Sequence, residues 1–137
     1  MTQIIPSLAA ISEQYEALFV DLWGCVHNGI TALPEAVAAL QSYRAHGGTV
    51  VLVTNSPRPR VGVEAQLKHF GVPDDAWDSI ATSGDSARAA MFQSVVGKRV
   101  YFIGLPHDLP FFDPIHVVSN PVEITRVALD EAEGIVC

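Results

Sequence analysis

At 137 residues the chain has the length of one domain and is long enough to bury a core, and its 49% hydrophobic content and mean hydropathy of +0.27 exclude a largely disordered polymer. Fifteen acidic residues against eight basic ones give a formal charge of −7, so no basic stripe is available to neutralise phosphates and a nucleic-acid partner is disfavoured. Only Cys25 and Cys137 are present, too few and too far apart for a disulfide framework, which makes a reducing cytosol the expected compartment. The opening MTQIIPSLAAISEQYEAL lacks the basic start and apolar core of a signal peptide, and no apolar run reaches membrane-spanning length. A soluble cytoplasmic protein without a membrane partner is expected.

In chain order, Leu8, Ile11 and Tyr15 are spaced as on a short helix over 7–16, with Ser7 as its cap. Leu18 to Val20 is an apolar run that ends on Asp21 and turns through Gly24 toward His27, Asn28 and Gly29, which predicts a buried parallel strand. Pro34 suits the first position of a helix with Val37, Leu40 and Tyr43 on one face, stopped by Gly47 and Gly48. Thr49 to Val53 reads as a second buried strand, and Val63, Leu67 and Phe70 mark a helix that starts at Pro59 and stops at Gly71. Beyond a polar loop, PDDAWD, come a short strand at Ile80 to Thr82, a helix with Ala87, Met91 and Val95, and a strand from Arg99 to Ile103. An irregular loop over Pro106 to Pro114, an apolar piece at His116 to Val118, a helix over Val122 to Glu131 and a strand opening at Gly134 complete the pattern. No internal repeat or low-complexity tract is present.

The strand ending at Asp21, the Pro34 helix and the strand ending at Thr54 have the length of a βαβ crossover, which lays consecutive strands side by side in parallel. Asp21 and the polar tip Thr54-Asn55-Ser56 therefore face one edge of the sheet, where open α/β folds place ligands. Hydroxyls, an amide and turn N–H groups beside a helix start suit an anion. Taken on its own, the run before Asp21 fits equally an Asp that only caps the following turn.

DLWGCVHNG at Asp21 to Gly29, the Pro34 helix, VVLVTNSPRP at Val50 to Pro59, FGVPDDAWDSIATSGDSARAAM at Phe70 to Met91 and RVYFIG at Arg99 to Gly104 together resemble the amino-terminal half of a haloacid-dehalogenase-superfamily hydrolase. Order and spacing are similar to the class IIA branch, which includes nucleotide, sugar-phosphate and pyridoxal-phosphate phosphatases. The resemblance implies a doubly wound, Rossmann-like parallel sheet with an inserted α/β cap, residues 1–84 being the first half of the core and 85–137 the beginning of the cap. It implies that Asp21 is a nucleophile that forms an aspartyl-phosphate, and that Mg2+ is held by Asp21 and the backbone carbonyl of Trp23. Thr54, Asn55 and Ser56 would bind the phosphoryl oxygens, with Asn28, Gly29 and Arg58 close to substrate. The expected partner is a small phosphorylated metabolite, and a homodimer through the cap is the assembly considered.

Two departures stand beside this reading. Family phosphatases carry a second Asp two positions after the first, as acid and base; here that position is Trp23, whose indole cannot exchange a proton near neutral pH. His27, with a reference pKa of about 6.5, is a candidate stand-in, against a His that binds the turn or faces the cap. The alternatives are a phosphate-binding protein without proton transfer, or a hydrolase of carbon–halogen or carbon–phosphorus bonds. The family's later lysine and acidic metal ligands are the second departure. Lys68 and Lys98 suit the surface, and Asp74, Asp75 and Asp78 lie in a loop of the first half, so a fragment of a longer hydrolase is expected.

Among the remaining residues, Cys25 is read as a small buried hydrophobe rather than a nucleophile paired with His27. Asp85 is expected to complement a helix dipole, Arg58 and Arg60 are candidates to recruit phosphate, and His107, Phe111 and Phe112 are candidates to contact substrate from the cap.

Overall fold

Three β-branched or apolar runs with intervening helical patterns build the first sheet. The computed structural model describes residues 4–116 and 118–137. Strands β1 (Ala17–Asp21), β2 (Thr49–Thr54) and β3 (Ser79–Thr82) pair in parallel in the order β1-β2-β3, with Asp21 opposite Val53 and Thr54 opposite Thr82. Helix α1 (Pro34–Ala45) begins with Pro34 in its first turn and buries Val37, Leu40 and Tyr43. Helix α2 (Arg60–Phe70) buries Val63 and Leu67 and ends on Gly71 in the left-handed region at φ 86°. These side chains share one buried cluster with Val50, Leu52 and Ile80, so both helices cover the same face of the sheet. Right-handed crossovers between strands in sequential order place them there. Tyr43 donates its hydroxyl to the carbonyl of Tyr15 at 2.6 Å, tying the segment ahead of β1 to α1.

The chain divides into two units, one running through Thr82 and one from Ser83 to Cys137. The division falls two residues ahead of the expected 84/85 boundary, at the start of α3 (Ser83–Phe92). The second unit has a parallel sheet in the order β5 (Thr125–Arg126), β4 (Arg99–Phe102), β6 (Gly134–Val136). Met91, Phe92, Ile115 and Val118 form its buried cluster. Arg88 is buried as well, donating to the carbonyls of Phe111 at 3.0 Å and Asp113 at 2.7 Å and to the carboxylate of Asp85 at 3.2 Å. The parallel α/β class is as expected. Among the described residues, no helix is long and apolar enough to cross a membrane.

Several elements differ from expectation. The helix over 7–16 is two 3-10 turns, Leu8–Ala10 and Ser12–Gln14, without a side-chain cap from Ser7. The pattern is too short to nucleate an α-helix without burying a face. Strand β1 is not buried on both sides: Leu18 and Val20 turn to the helices, whereas Phe19 on the other face is 77% exposed. In α3 the inward face carries Gly84, Arg88, Met91 and Phe92 rather than Ala87, and Val95 lies past the helix end and is exposed. The helix expected over Val122 to Glu131 is β5 followed by a 3-10 turn at Leu129–Glu131. Val122, Ile124 and Thr125 are β-branched, and pairing with β4 outweighs a weak helical spacing. Pro106–Phe112 is a 3-10 segment rather than irregular loop. Of the apolar piece at His116 to Val118, Val117 lies outside the described residues and Val118 is buried. Cys25 is exposed, not a buried hydrophobe.

Candidate active site

The segment between β1 and α1 is wound tightly on its own backbone. Leu22 is buried and its carbonyl accepts the N–H groups of Cys25, Val26 and His27, at 3.3, 2.9 and 3.2 Å, while Gly24 donates to the carbonyl of His27 at 2.8 Å. The Oδ1 of Asn28 accepts the N–H groups of Ile30 and Thr31, both at 2.9 Å, so this side chain shapes the turn itself. Ala32 and Leu33 then donate to the carbonyls of Phe70 and Val26, at 2.8 Å each, which fastens the segment to the end of α2.

Asp21 ends β1 with its side chain exposed. Its Oδ1 accepts the N–H of Leu22 at 2.7 Å, and among the described residues no cation is paired with it. Thr54 ends β2 at the same edge. Its hydroxyl oxygen accepts the N–H of Ser56, and the hydroxyl oxygen of Ser56 accepts the N–H of Arg58, both at 3.2 Å. With those lone pairs occupied by the backbone, each hydroxyl proton is available to an anion. Because Asp21 pairs with Val53, side-chain alternation starts Asp21 and Thr54 from opposite faces of the sheet. A ligand that meets both lies across the carboxyl edge rather than on either face.

A cavity of about 260 Å³ opens at this edge, lined by Leu22, Trp23, His27, Thr54, Asn55, Ser56, Arg58, Val63 and Gln66. It gathers Trp23, His27, Thr54, Asn55, Ser56 and Arg58 from the expected site, while Asp21 immediately precedes its wall at Leu22. Asn28 and Gly29 are not among its lining residues. Arg60 pairs with Glu64 at 2.6 Å. Gln66 was not legible as a site residue, although it lies three positions after buried Val63 on the inward face of α2. A larger hollow of about 890 Å³ lies at the other end of the sheet, between the first 3-10 turns, the end of α1 and the start of β2. Glu13, Glu16 and His46 are among its lining residues, and it lies away from the edge at which Asp21 and Thr54 end.

His27 is 4% exposed, with its ring 4.8 Å from that of Phe70 and edge-on to that of Trp23 at 5.9 Å. Burial pushes its imidazole below the ordinary value, against the opposing pull of the Asp21 charge. Its Nδ1 accepts the N–H of Gly29 at 3.0 Å, which assigns the proton of the neutral ring to Nε2. Protonating Nδ1 would set two donors against each other, so the ring is built to donate from Nε2 rather than to exchange a proton. The role of acid considered for His27 meets this obstacle.

Mg2+ is a hard cation that takes oxygen ligands and keeps several waters, so it needs few from the protein. An exposed carboxylate at Asp21 and the carbonyl of Trp23, to which no hydrogen bond is directed among the described residues, fit it. Among the described residues no group of three or more His, Cys, Asp or Glu side chains is gathered to hold a metal. Asp75 and Asp78 are engaged elsewhere, by Gln41 and by Arg44 with the N–H of Val50. Phe111 and Phe112 pack against the second unit's cluster, and exposed His107 lies 3.4 Å from Asp108.

Residues 18–116 match the family described as haloacid dehalogenase-like hydrolase. A solved structure, a hydrolase of the haloacid dehalogenase-like family from Brucella suis 1330, is 42% identical and superposes with a TM-score of 0.81. The alignment covers 98% of this chain and 48% of that one, so the chain spans about half the length of its solved relative. No curated protein matched the chain.

Proposed function

This chain belongs to the haloacid dehalogenase-like hydrolases, in their class IIA branch, and from that premise we propose that it serves a phosphatase centre in which Asp21 takes the phosphoryl group of a small phosphorylated metabolite. The observation that carries the reading is an exposed carboxylate unpaired with any described cation, at the sheet edge shared with the Thr54-Ser56 hydroxyls. A carboxylate is ionised at neutral pH and needs no base to become a nucleophile. The hydroxyls of Thr54 and Ser56, the Nε2–H of His27 and the guanidinium of Arg58 supply donors and charge for phosphoryl oxygens. Mg2+, held by Asp21 and the carbonyl of Trp23, would offset the repulsion between carboxylate and phosphate.

The test is capture of the intermediate. Protein incubated with Mg2+ and an acyl or aryl phosphate is expected to gain one phosphoryl group on the peptide that carries Asp21, read by mass spectrometry after acid quench, and Asp21→Asn is expected to gain none. Trp23 supplies no acid, which keeps a second reading in view, a protein that binds the phosphorylated ligand without turning it over. Ligand binding without any adduct at Asp21 would establish that reading instead.

A further inference from the structure

The indole of Trp23 occupies the position of a proton donor yet is 69% exposed, in a loop otherwise wound on its own hydrogen bonds. It has a built seat. A Cβ at Gly29 would lie 2.3 Å from Cη2 and 2.4 Å from Cζ3, so the benzo ring rests against the bare Cα of Gly29. Gly29 also has φ +88°, a backbone conformation that other residues adopt only with strain. The edge-on ring of buried His27 braces the indole from another side. Such an arrangement holds a large apolar surface beside the cavity that contains Thr54, Asn55 and Ser56.

We propose that Trp23 is a specificity-determining residue, a stacking surface that selects phosphate monoesters of phenol-like, aromatic alcohols. The proposal rests on the phosphatase reading and deepens it. Two properties of the same residue point to this class. An indole offers a ring face to another planar π-system. It also gives the leaving oxygen no proton, so turnover favours an ester whose oxygen departs as an anion unaided. Phenols, with pKa about 10 as in tyrosine, meet both conditions, whereas alkyl alcohols without a ring meet neither. In the step itself an Asp21 oxygen bonds to phosphorus while the P–O bond to the ring oxygen breaks. That electron pair leaves on the aryloxide, which takes its proton from solvent water. Hydrolysis of the aspartyl-phosphate by a second water returns the carboxylate and releases phosphate.

The experiment compares phenylphosphonate, methylphosphonate and glucose 6-phosphate as ligands of the protein with Mg2+ by titration calorimetry, alongside the adduct assay at Asp21. Wild type is expected to hold phenylphosphonate about fivefold more tightly than methylphosphonate, the size of one stacking contact. Trp23→Phe should keep most of that ratio, Trp23→Ala should bring it to unity, and Gly29→Ala should lower it by unseating the indole. Equal affinity for the two phosphonates, tighter binding of glucose 6-phosphate, or a ratio that survives in Trp23→Ala would each overturn the proposal and leave the Asp21 centre standing. No binding of any ligand together with no adduct would overturn the proposal and the phosphatase reading with it.

Discussion

In the first unit Asp78 stands immediately ahead of β3, two positions after a 3-10 turn; in the second, Glu133 stands immediately ahead of β6, two positions after another. Each closes the amino end of its sheet in the same way. Asp78 accepts the N–H of Val50 through its side chain at 2.8 Å while its own N–H donates to the Val50 carbonyl at 2.8 Å. Glu133 accepts the N–H groups of Lys98 and Arg99 at 2.6 and 3.1 Å, and its own N–H donates to the Arg99 carbonyl at 2.7 Å. The two differ in what else the carboxylate holds. Asp78 is also bound by Arg44 from α1, so the first staple joins helix to sheet, whereas Glu133 holds backbone N–H groups.

Their cores differ in the same direction. The first unit buries Leu52, Leu67, Val26, Val50 and Val63 fully beneath two helices. The second has the smaller cluster around Met91 and Phe92, and there Arg88 ties α3 to the segment that follows β4 through backbone carbonyls. Where apolar burial is thin, a satisfied polar hub specifies the packing that hydrophobic area specifies elsewhere.

The comparison is broken most strongly by Leu52→Ala, which should cost the first unit about 3–4 kcal/mol. Trp23 and Trp77 both lie in that unit, so urea unfolding followed by tryptophan emission reads it directly. Arg88→Met should come next, costing about 1–3 kcal/mol in the second unit because the half-buried carbonyl of Phe111 and the carbonyl of Asp113 lose their shared donor. Faster amide exchange in α3 and β4, with tryptophan emission unchanged, is the expected signature.

Asp78→Asn should have a smaller effect, present above about pH 4 and fading as the wild-type carboxyl is protonated. Hydrogen bonding from Arg44, then from the N–H of Val50, holds the Asp78 carboxyl below its usual range. A depressed folded-state value stabilises above the unfolded value of about 3.9, and the contribution drains as pH falls through the folded value. The variant should therefore flatten the acid limb of the first unit's stability below about pH 4, and Arg44→Met should shift that limb toward higher pH. Glu133→Gln is expected to have the least effect. Its carboxyl is likewise held low, by the N–H groups of Lys98 and then Arg99, so the sign is the same below the usual Glu value of about 4.3. Exchange of the Lys98 amide against pH reads it.

Much of the first unit was legible because its signals are local. Pro34, the β-branched run at Thr49 and the stop at Gly71 each act on the backbone next to them. The second unit was less legible. Its β5 is two residues long and exists through pairing with β4, while Arg88 reads as a surface residue until the carbonyls of Phe111 and Asp113 are brought to it. At the site, Asp21 and the Thr54-Ser56 tip could be placed at one edge from strand ends and spacing, whereas Trp23 was singled out only by the family resemblance. The seat of Trp23 on Gly29, the capture of the His27 Nδ1 and the arrival of Gln66 at the cavity were not legible, because each depends on how the chain returns on itself.

By itself the sequence determined the two crossovers, the parallel order of their strands and the delivery of Asp21 and Thr54 to one edge, since strand length, turn residues and handedness leave few other topologies. Only the tertiary structure decided which donors face that edge and which are consumed within the loops. It also decided that one exposed indole is held beside the cavity, because a side chain's partners come from residues far along the chain that no local periodicity encodes.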